Sequence, residues 1–418
     1  MSYSSSLGLP AARLVALALG TSMAACQPGT DSAATADKPA AATETSATAP
    51  SPDTPGTWYR QYRGVLPGTP TDTITLQLQV WPRAAPDPGW GGIAACYAGS
   101  DGHPFYMSGS VGPTDSLTLA DYAPEHSSPG DGSMWRLRRQ GSLLSGTVGG
   151  RLVRFREVRL TGSVRLASRY FHDSVAAFPG TPGTPYAQQT LLALLPTGGT
   201  SATAQATLRN NLLRGLRDDT IDTRPIVSLE KLWQQRRQQY VQDYRQDAAG
   251  SRPEPGDTSS PAFGIGLRYD EQQLMHVLWN QAPLLSIGYF SYSFTGGAHG
   301  MYGTSAATFD TRTGHRLRYD DIFRPGTKPE LVALLDQAAR RTFGLAPGAS
   351  LEGTLFVRHM PVTRNVFLTS GGAVFIYGPY EIAPYAQGEI RIFVPFSELR
   401  PLLKPGLPMA GGGEVTAK

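Results

Sequence analysis

A strictly alternating segment constrains the fold of this chain more than any other feature. In TITLQLQV, residues 73–80, the apolar residues Ile74, Leu76, Leu78 and Val80 alternate with threonine and glutamine. Successive side chains of a β-strand point to opposite faces. The segment is therefore predicted to be a strand with one buried apolar face and one face in water.

Short alternating or apolar runs recur through residues 58–161, and turn-forming residues separate them. The runs are HPFYMSGSV, DSLTLADY, SMWRLRRQ, SLLSGTVGG and RLVRFREVRL. Strands at such spacing predict a small antiparallel β-barrel or sandwich. In the last run the apolar parity changes between Phe155 and Val158, which predicts a bulge near Arg156 or Glu157.

Aromatic residues in this β-rich segment leave two interpretations open. Trp81, Trp90 and Trp135 could line a cavity for a small apolar ligand, as in lipocalin-like barrels. Barrels of this size are more often filled by their own side chains, so the second interpretation is a solid core.

Residues 162–406 combine helical and strand patterns, which predict an α+β domain with helices packed on an antiparallel sheet. A loop-rich stretch containing FPGTPGTP comes first. Ser228 then caps a predicted helix, and a second helix ends before Gly344. Two hairpin turns are predicted, at DTRTG, residues 310–314, and at SGG, residues 370–372.

The N-terminus has the organisation of a secretory signal. Arg13 precedes the apolar run LVALALG, and small residues then lead to Cys26. The apolar run is too short to span a membrane as a helix. Residues 1–25 are therefore predicted to be a signal peptide, with an ordinary secreted protein cleaved nearby as the alternative to a lipoprotein.

The tetrapeptide MAAC that ends at Cys26 resembles the lipobox of bacterial lipoproteins. That resemblance implies lipid on Cys26, and more than one acyl chain gives stable membrane anchoring. Since the chain has two cysteines, lipidation leaves Cys96 without a disulfide partner. Residues 26–57 are rich in Ala, Thr, Ser and Pro and are predicted to be a disordered tether, and residues 407–418 a disordered tail.

These features predict an envelope protein held at a membrane by its N-terminal lipid. Pro28, rather than aspartate, follows Gln27, so the inner-membrane retention signal of enteric lipoproteins is missing and the outer membrane is favoured if the cell has one. The 37 basic residues only slightly exceed the 33 acidic ones, which argues against a nucleic acid as partner.

An ordered set of motifs in the C-terminal half resembles a known envelope domain. The motifs are FTGGAHG, TFDTRTGHRLRYDDIF, FLTSGGAVFIYGPYEIAPYAQG and RIFVPFSEL. They are similar to a domain of the RsiV-type, lysozyme-sensing anti-sigma factors, which also precedes the catalytic module of some peptidoglycan deacetylases and is otherwise of unknown function. The resemblance is best over residues 263–403 and implies recognition of a cell-wall-associated ligand. No sigma-binding segment is visible.

The first of these motifs supplies three candidate binding residues, Gly296, Gly297 and His299. No HExxH or paired-cysteine pattern provides partners for His299 as a zinc ligand. A structural histidine is therefore favoured, with glycines that let its loop pass close to a neighbouring strand. Asp310 and His315 lie on the next predicted hairpin. A position of these two residues close to His299 is therefore an open alternative.

The loop GPYEIAPYA supplies the other four candidates, Tyr380, Glu381, Pro384 and Tyr385. Its prolines stiffen the chain and its tyrosines offer rigid amphipathic area, which is typical of a recognition surface. The alternative is that both tyrosines pack beneath the loop and bond its backbone. Glu381 either caps backbone N–H groups or awaits a cationic partner.

The leading hypothesis is a lipid-anchored binding protein that recognises a lysozyme-like protein or peptidoglycan. We find no G-x-S-x-G elbow and no dinucleotide loop, and we predict no catalytic residue, metal ion or cofactor. The rival is a cell-wall-modifying hydrolase in which His299, Asp310 and Glu381 converge in one cleft. The oligomeric state stays open.

Overall fold

The alternating segment of residues 73–80 is a strand of a closed, antiparallel, eight-stranded barrel. The computed structural model of the chain describes residues 53–68, 72–82, 92–112, 115–121, 123–126, 134–217, 227–251 and 265–408. Each barrel strand pairs with its sequence neighbours, and the first strand closes the barrel against the eighth. The strands are β1 (Trp58–Val65), β2 (Thr73–Val80), β3 (Ile93–Ala98), β4 (Pro104–Val111), β5 (Ser116–Asp121), β6 (Met134–Gln140), β7 (Leu143–Val148) and β8 (Arg151–Val158).

Side chains fill the interior of the barrel. Tyr62, Trp135 and Phe155 are among the largest fully buried side chains, and the rings of Trp135 and Phe155 stack with centroids 5.8 Å apart. Trp81 is also buried, but it packs outside the barrel against the neighbouring sheet. Trp90 lies outside the described residues. The interior is a packed core, as eight strands allow.

The polar face of β2 is not in water, so this part of the sequence prediction is wrong. Gln77 and Gln79 are only 4% and 2% exposed. The Nε2 atom of Gln79 donates to the carbonyl oxygen of Met275 at 2.8 Å, and Gln77 accepts from the hydroxyl of Tyr59. Buried amides are tolerated where they are hydrogen-bonded, and the amide of Gln79 joins the barrel to a second sheet.

That second sheet has six strands in the order β14-β13-β12-β11-β10-β9. All neighbouring pairs are antiparallel except β10 and β11, which are parallel. The strands are β9 (Arg165–Ala176), β10 (Tyr186–Gly198), β11 (Tyr269–Gln281), β12 (Leu284–Thr295), β13 (Met301–Asp310) and β14 (Arg316–Leu317).

Two of these strands and one helix lie in the stretch that the sequence pattern predicted as loop-rich. In β10 the run TLLALL is buried on both faces, because Leu191 packs in the cluster with helix α1 (Ala202–Leu216) and Leu192 packs with Trp81. A strand buried on both faces lacks alternation, so periodicity gives it no clear signal. The prediction of loops here was wrong for β9, β10 and α1.

Two helices cover the sheet face opposite the barrel. Helix α2 (Leu229–Ala248) packs beside α1 in the same apolar cluster. Its predicted cap is confirmed, since the hydroxyl oxygen of Ser228 accepts from the backbone N–H of Lys231 at 3.2 Å. Such a cap satisfies one of the amides that a helix leaves unpaired at its N-terminus.

A three-stranded antiparallel sheet completes the fold. It contains β15 (Val366–Leu368), β16 (Gly372–Tyr377) and β17 (Ile390–Pro395), and helix α4 (Lys328–Thr342) packs on it. The short helices α3 (Tyr319–Ile322) and α5 (Phe396–Leu399) flank it. The hydroxyl of Ser286 in β12 donates to the carbonyl oxygen of Leu368 at 2.6 Å, which ties this sheet to the six-stranded one.

Both predicted hairpins are present, and the predicted bulge is not. The turn DTRTG joins β13 to β14 with Gly314 at a φ of +75°, and SGG joins β15 to β16. Strand β8 pairs with β1 and with β7 without a register shift. The apolar parity changes there because Val158 ends the strand and Leu160 lies beyond it.

Several predicted features fall outside the described residues. These are Cys26, the signal peptide of residues 1–25, most of the tether of residues 26–57, and residues 409–418 of the predicted tail. Leu407, the first residue of that tail, is buried. No helix in the described part of the chain is long and apolar enough to cross a membrane.

Candidate functional site

The two motifs singled out from the sequence meet at one edge of the structure. The turn containing Gly296, Gly297 and His299 connects β12 to β13, and the loop of residues 378–389 connects β16 to β17. The imidazole of His299 stacks on the phenol ring of Tyr385 with centroids 4.1 Å apart. Strand pairing within two different sheets therefore brings together side chains that are distant in sequence.

Hydrogen bonds fix the histidine turn against the loop. The hydroxyl of Tyr385 donates to the carbonyl oxygen of Gly300 at 2.7 Å, and Nδ1 of His299 lies 3.0 Å from the same oxygen. Because a carbonyl oxygen only accepts, Nδ1 carries the proton in this arrangement. In the neutral ring Nε2 is then an acceptor, and it lies 3.4 Å from the hydroxyl of Tyr380.

Tyr380 combines an exposed ring with an unusual backbone. Its side chain is 52% exposed, and its φ is +67°. Residues other than glycine rarely occupy this left-handed region, which costs roughly 1 kcal/mol or more. The ring lies 6.3 Å from His299 and 5.5 Å from Tyr385, centroid to centroid. The fold thus holds an aromatic side chain outward at a cost in conformational energy, and such positions cluster at binding sites.

The glycines of the turn allow close approach of backbone and rings. Gly296 has a φ of +88°, and a Cβ atom there would lie 2.8 Å from the carbonyl oxygen of Gly266. Gly300 faces the ring of Tyr292, where a Cβ atom would approach to 2.5 Å. Gly297 has a φ of +98° with open space around it. His299 itself is exposed, so the turn supports an accessible ring rather than a buried one.

Glu381 and Pro384 shape the loop. A carboxylate oxygen of Glu381 accepts from the backbone N–H of Gly378 at 2.9 Å, so the side chain caps its own loop. Pro384 is exposed and begins the short 3-10 helix Tyr385–Gln387. The interpretation in which both tyrosines pack beneath the loop does not hold, because Tyr380 is exposed and Tyr385 bonds the neighbouring turn instead.

Further side chains secure and extend this cluster. The sequence analysis did not single them out. Glu389 accepts from the backbone N–H and the hydroxyl of Thr304, which ties the end of the loop to β13. Phe356 is 62% exposed, and its N–H donates to the carbonyl oxygen of Ile382 in the loop. Met301, 48% exposed, follows the turn directly. A single acid or aromatic residue carries no local pattern, so no sequence signal marks these contacts.

His299, Asp310 and Glu381 do not converge in one cleft, as the hydrolase hypothesis requires. Asp310 ends β13, whose first residue is Met301, and nine strand steps of about 3.3 Å place it roughly 30 Å from His299. Asp310 is 7% exposed and pairs with Arg312 at 2.8 Å. Among the described residues, no three His, Cys, Asp or Glu side chains are grouped to hold a metal ion. The chemistry that the cluster itself offers is stacking and hydrogen bonding.

One neighbouring ring is held firmly neutral. Tyr302 contacts the ring of Tyr385 edge-on, with centroids 5.7 Å apart. Burial raises the pKa of Tyr302 above its usual value, and the charge of Glu389 adds to this effect. Tyr302 thus supports the cluster as an uncharged aromatic side chain.

Comparison with known sequences places a family domain on this part of the chain. Residues 320–397 match the profile of a family described as "Protein of unknown function (DUF3298)". The match includes the loop with Tyr380 and Tyr385 and all of β17, and it ends within α5. The turn with His299 precedes the matched residues. No curated protein matches the chain.

Two solved structures of DUF3298 proteins match part of this chain. A DUF3298 family member from Bacteroides fragilis has 23% sequence identity and a TM-score of 0.50, over 59% of this chain and 96% of that one. A DUF3298 family protein from Pseudomonas aeruginosa PAO1 has 22% identity and a TM-score of 0.41, over 60% and 99% of the two chains. The fold is that of a barrel-bearing α+β protein, in which residues 320–397 are similar to the DUF3298 family.

Proposed function

We propose that this protein is a lipid-anchored, extracytoplasmic binding protein. In this proposal the cluster of His299, Tyr380 and Tyr385 recognises a cell-wall-associated ligand, either peptidoglycan or a lysozyme-like protein. The observation that carries it is the meeting of two separate motifs in one exposed aromatic surface. Tyrosines on a rigid frame are typical anchors of binding surfaces, because they offer large contact area at small entropic cost.

The structural setting of Tyr380 supports recognition over a purely internal role. A tyrosine that served only packing would not need an exposed ring on a left-handed backbone. Phe356 adds a second exposed ring beside the same loop. An exposed apolar surface of this kind is a common mark of an interaction site.

The membrane anchor in this proposal rests on the N-terminal sequence. A signal peptide of residues 1–25 that ends at Cys26 would place the folded part outside the cytoplasm, on a tether of residues 26–57. The domain resemblance also points to the envelope. With the anchor, the outer membrane is the favoured location if the cell has one.

Binding measurements on the purified protein test the recognition role. We expect retention on insoluble peptidoglycan or on immobilised lysozyme, and about a tenfold or greater loss of affinity on Tyr380→Ala. The matched control is Tyr186→Ala, because Tyr186 is also 52% exposed and its strand β10 is adjacent to neither β12 nor β13 in the sheet. Retention by neither matrix, or equal losses in the two variants, would reject the proposal. The two matrices also separate the two ligand classes.

A further inference from the structure

A cavity of about 410 Å³ opens at one mouth of the barrel. The mouth is formed where odd-numbered strands end and even-numbered strands begin, since neighbouring strands run in opposite directions. Its lining includes Tyr97 near the end of β3, Asp121 at the end of β5, Trp135 near the start of β6 and Arg151 at the start of β8. Barrel mouths are common places for small-molecule sites, and this volume lies in their usual range.

A hydrogen-bonded set of titratable groups lines this cavity. The carboxylate of Asp121 is 3% exposed and accepts from the hydroxyl of Tyr97 at 2.7 Å. The same oxygen, Oδ2, lies 2.8 Å from Nδ1 of His126, in the 3-10 helix Pro124–His126. Its other oxygen accepts from the backbone N–H of Ala123 at 3.0 Å. The hydroxyl of Tyr97 and the N–H of Ala123 donate to this carboxylate, and His126 presents Nδ1–H to it.

The charge of the cavity favours an anion. The hydrogen bond to Asp121 raises the pKa of His126 above its usual value, which holds more of the ring as imidazolium. Asp121 is thereby neutralised within the wall. Arg151 lines the same cavity, is exposed, and forms no ion pair with any other described residue. The pair of Asp121 and His126 is therefore close to neutral, and the guanidinium of Arg151 remains as the net positive charge of the lining for a ligand of opposite charge.

An aromatic wall stands beside these charges. The rings of Tyr97 and Trp135 pack with centroids 5.0 Å apart, and both side chains line the cavity. Leu66 adds an aliphatic side chain to the lining. The cavity thus joins an aromatic wall to a positively charged side chain, and apolar walls with a few polar groups are typical of small-molecule sites.

We propose that the barrel mouth binds a small aromatic or otherwise apolar carboxylic acid. Its carboxylate lies between Arg151 and the imidazole of His126, and its apolar body lies against Trp135. This site belongs to the barrel and is independent of the aromatic cluster at Tyr380. None of the family and structure matches assigns a ligand to it.

Titration of the purified full chain with 2-naphthoate tests this site. Binding is followed by the quenching of tryptophan fluorescence and by calorimetry, with 2-naphthamide as the neutral ligand of the same shape. We expect a Kd on the order of 0.1 mM for the acid, given what a ligand of this size can gain. The amide is expected to bind about tenfold more weakly, because it lacks the charge.

Variants locate the binding. Arg151→Gln is expected to weaken naphthoate binding about tenfold, since a charged hydrogen bond is lost. Arg154→Gln is the matched control, because Arg154 is an exposed arginine on the same strand that does not line the cavity, and it should retain wild-type affinity. Both substituted side chains are exposed, so the fold is retained. His126→Gln, checked by its melting temperature, should also weaken binding.

Three results would overturn the proposal. They are an absence of saturable naphthoate binding up to about 10 mM, equal affinities for the acid and the amide, or equal effects of Arg151→Gln and Arg154→Gln. In the first case the set of Tyr97, Asp121 and His126 only stabilises the barrel mouth. Tyr380→Ala should leave naphthoate binding unchanged, so failure of this proposal and failure of the recognition role are distinguishable.

Discussion

The imidazole of His299 stacks on the ring of Tyr385 at 4.1 Å between centroids, and the two residues come from loops that belong to different sheets. The hydroxyl of Tyr385 also bonds the carbonyl oxygen of Gly300 beside the histidine. This one side chain therefore couples the six-stranded sheet to the three-stranded sheet at the candidate site.

Removal of that hydroxyl tests the coupling. Tyr385→Phe keeps the ring on His299 and deletes the bond to Gly300, whose carbonyl oxygen then keeps only Nδ1 of His299 as a donor. We expect a loss of about 1 kcal/mol in the free energy of unfolding, the usual contribution of such a bond. Urea denaturation measures it. Tyr186→Phe should lie within about 0.5 kcal/mol of wild type, as substitutions at exposed positions usually do. Equal losses would contradict the role of Tyr385.

Contact between the β15–β16 hairpin and the barrel is expected to depend on a glycine. A Cβ atom on Gly371 would lie 1.7 Å from the carbonyl oxygen of Asp101, a backbone atom that cannot rotate away. Gly371→Ala should cost about 2 kcal/mol or more, because one backbone must shift. Thermal and urea unfolding report the loss. In Gly303→Ala the new methyl group meets nothing within 4 Å, so this variant should remain within about 1 kcal/mol of wild type.

Acid should destabilise the contact between the barrel and the six-stranded sheet through His276. Its ring stacks between Trp81 and Phe290 at 5.8 Å from each, and its Nε2 atom is buried without a hydrogen-bond partner among the described residues. Burial lowers the pKa of His276 to about 3, and the charge of Arg391 adds to this effect. The folded state therefore binds this proton less readily than the unfolded state.

The direction of the pH effect on stability follows from this difference between the folded and unfolded pKa of His276. Stability attributable to His276 is fully present above the unfolded pKa near 6.5 and falls as the pH drops toward the folded pKa of about 3. At about pH 5 the expected loss is roughly 2 kcal/mol. His276→Phe keeps the aromatic stack without the proton and should unfold with a flatter pH profile than wild type. Parallel profiles from about pH 8 to 5 would refute this assignment.

The proposed lipid on Cys26 can be tested by metabolic labelling. Cells that express the protein and are fed an alkyne analogue of palmitate should label it, and Cys26→Ser should abolish the label and release the protein from membranes, because no other anchor is proposed. Cys96→Ser is the control, since Cys96 is buried in the barrel wall and should not affect labelling. Label that persists in Cys26→Ser would disprove an anchor at this cysteine.

Local patterns in the sequence were sufficient for the elements whose signal is contained in a few residues. Alternation identified β2, Ser228 marked the start of α2, and the turns at Gly314 and at residues 370–372 specified two hairpins. These depend on side-chain periodicity, a capping hydroxyl and backbone conformations that glycine adopts readily, all of which act within one turn or one strand. The same local chemistry pointed to His299 and Tyr380 as residues of interest.

Only the tertiary structure decided which of those elements meet. Alternation in β2 could not show that Gln79 faces a second sheet instead of water, since a buried amide and a solvated one have the same sequence. Strand β10 is buried on both faces, so its sequence shows no alternation of apolar and polar residues. The pairing of His299 with Tyr385, and of Asp121 with His126 and Tyr97, depends on strand order and register, which are set by the packing of the whole core. Sequence thus determined the local conformations, and long-range packing determined the sites.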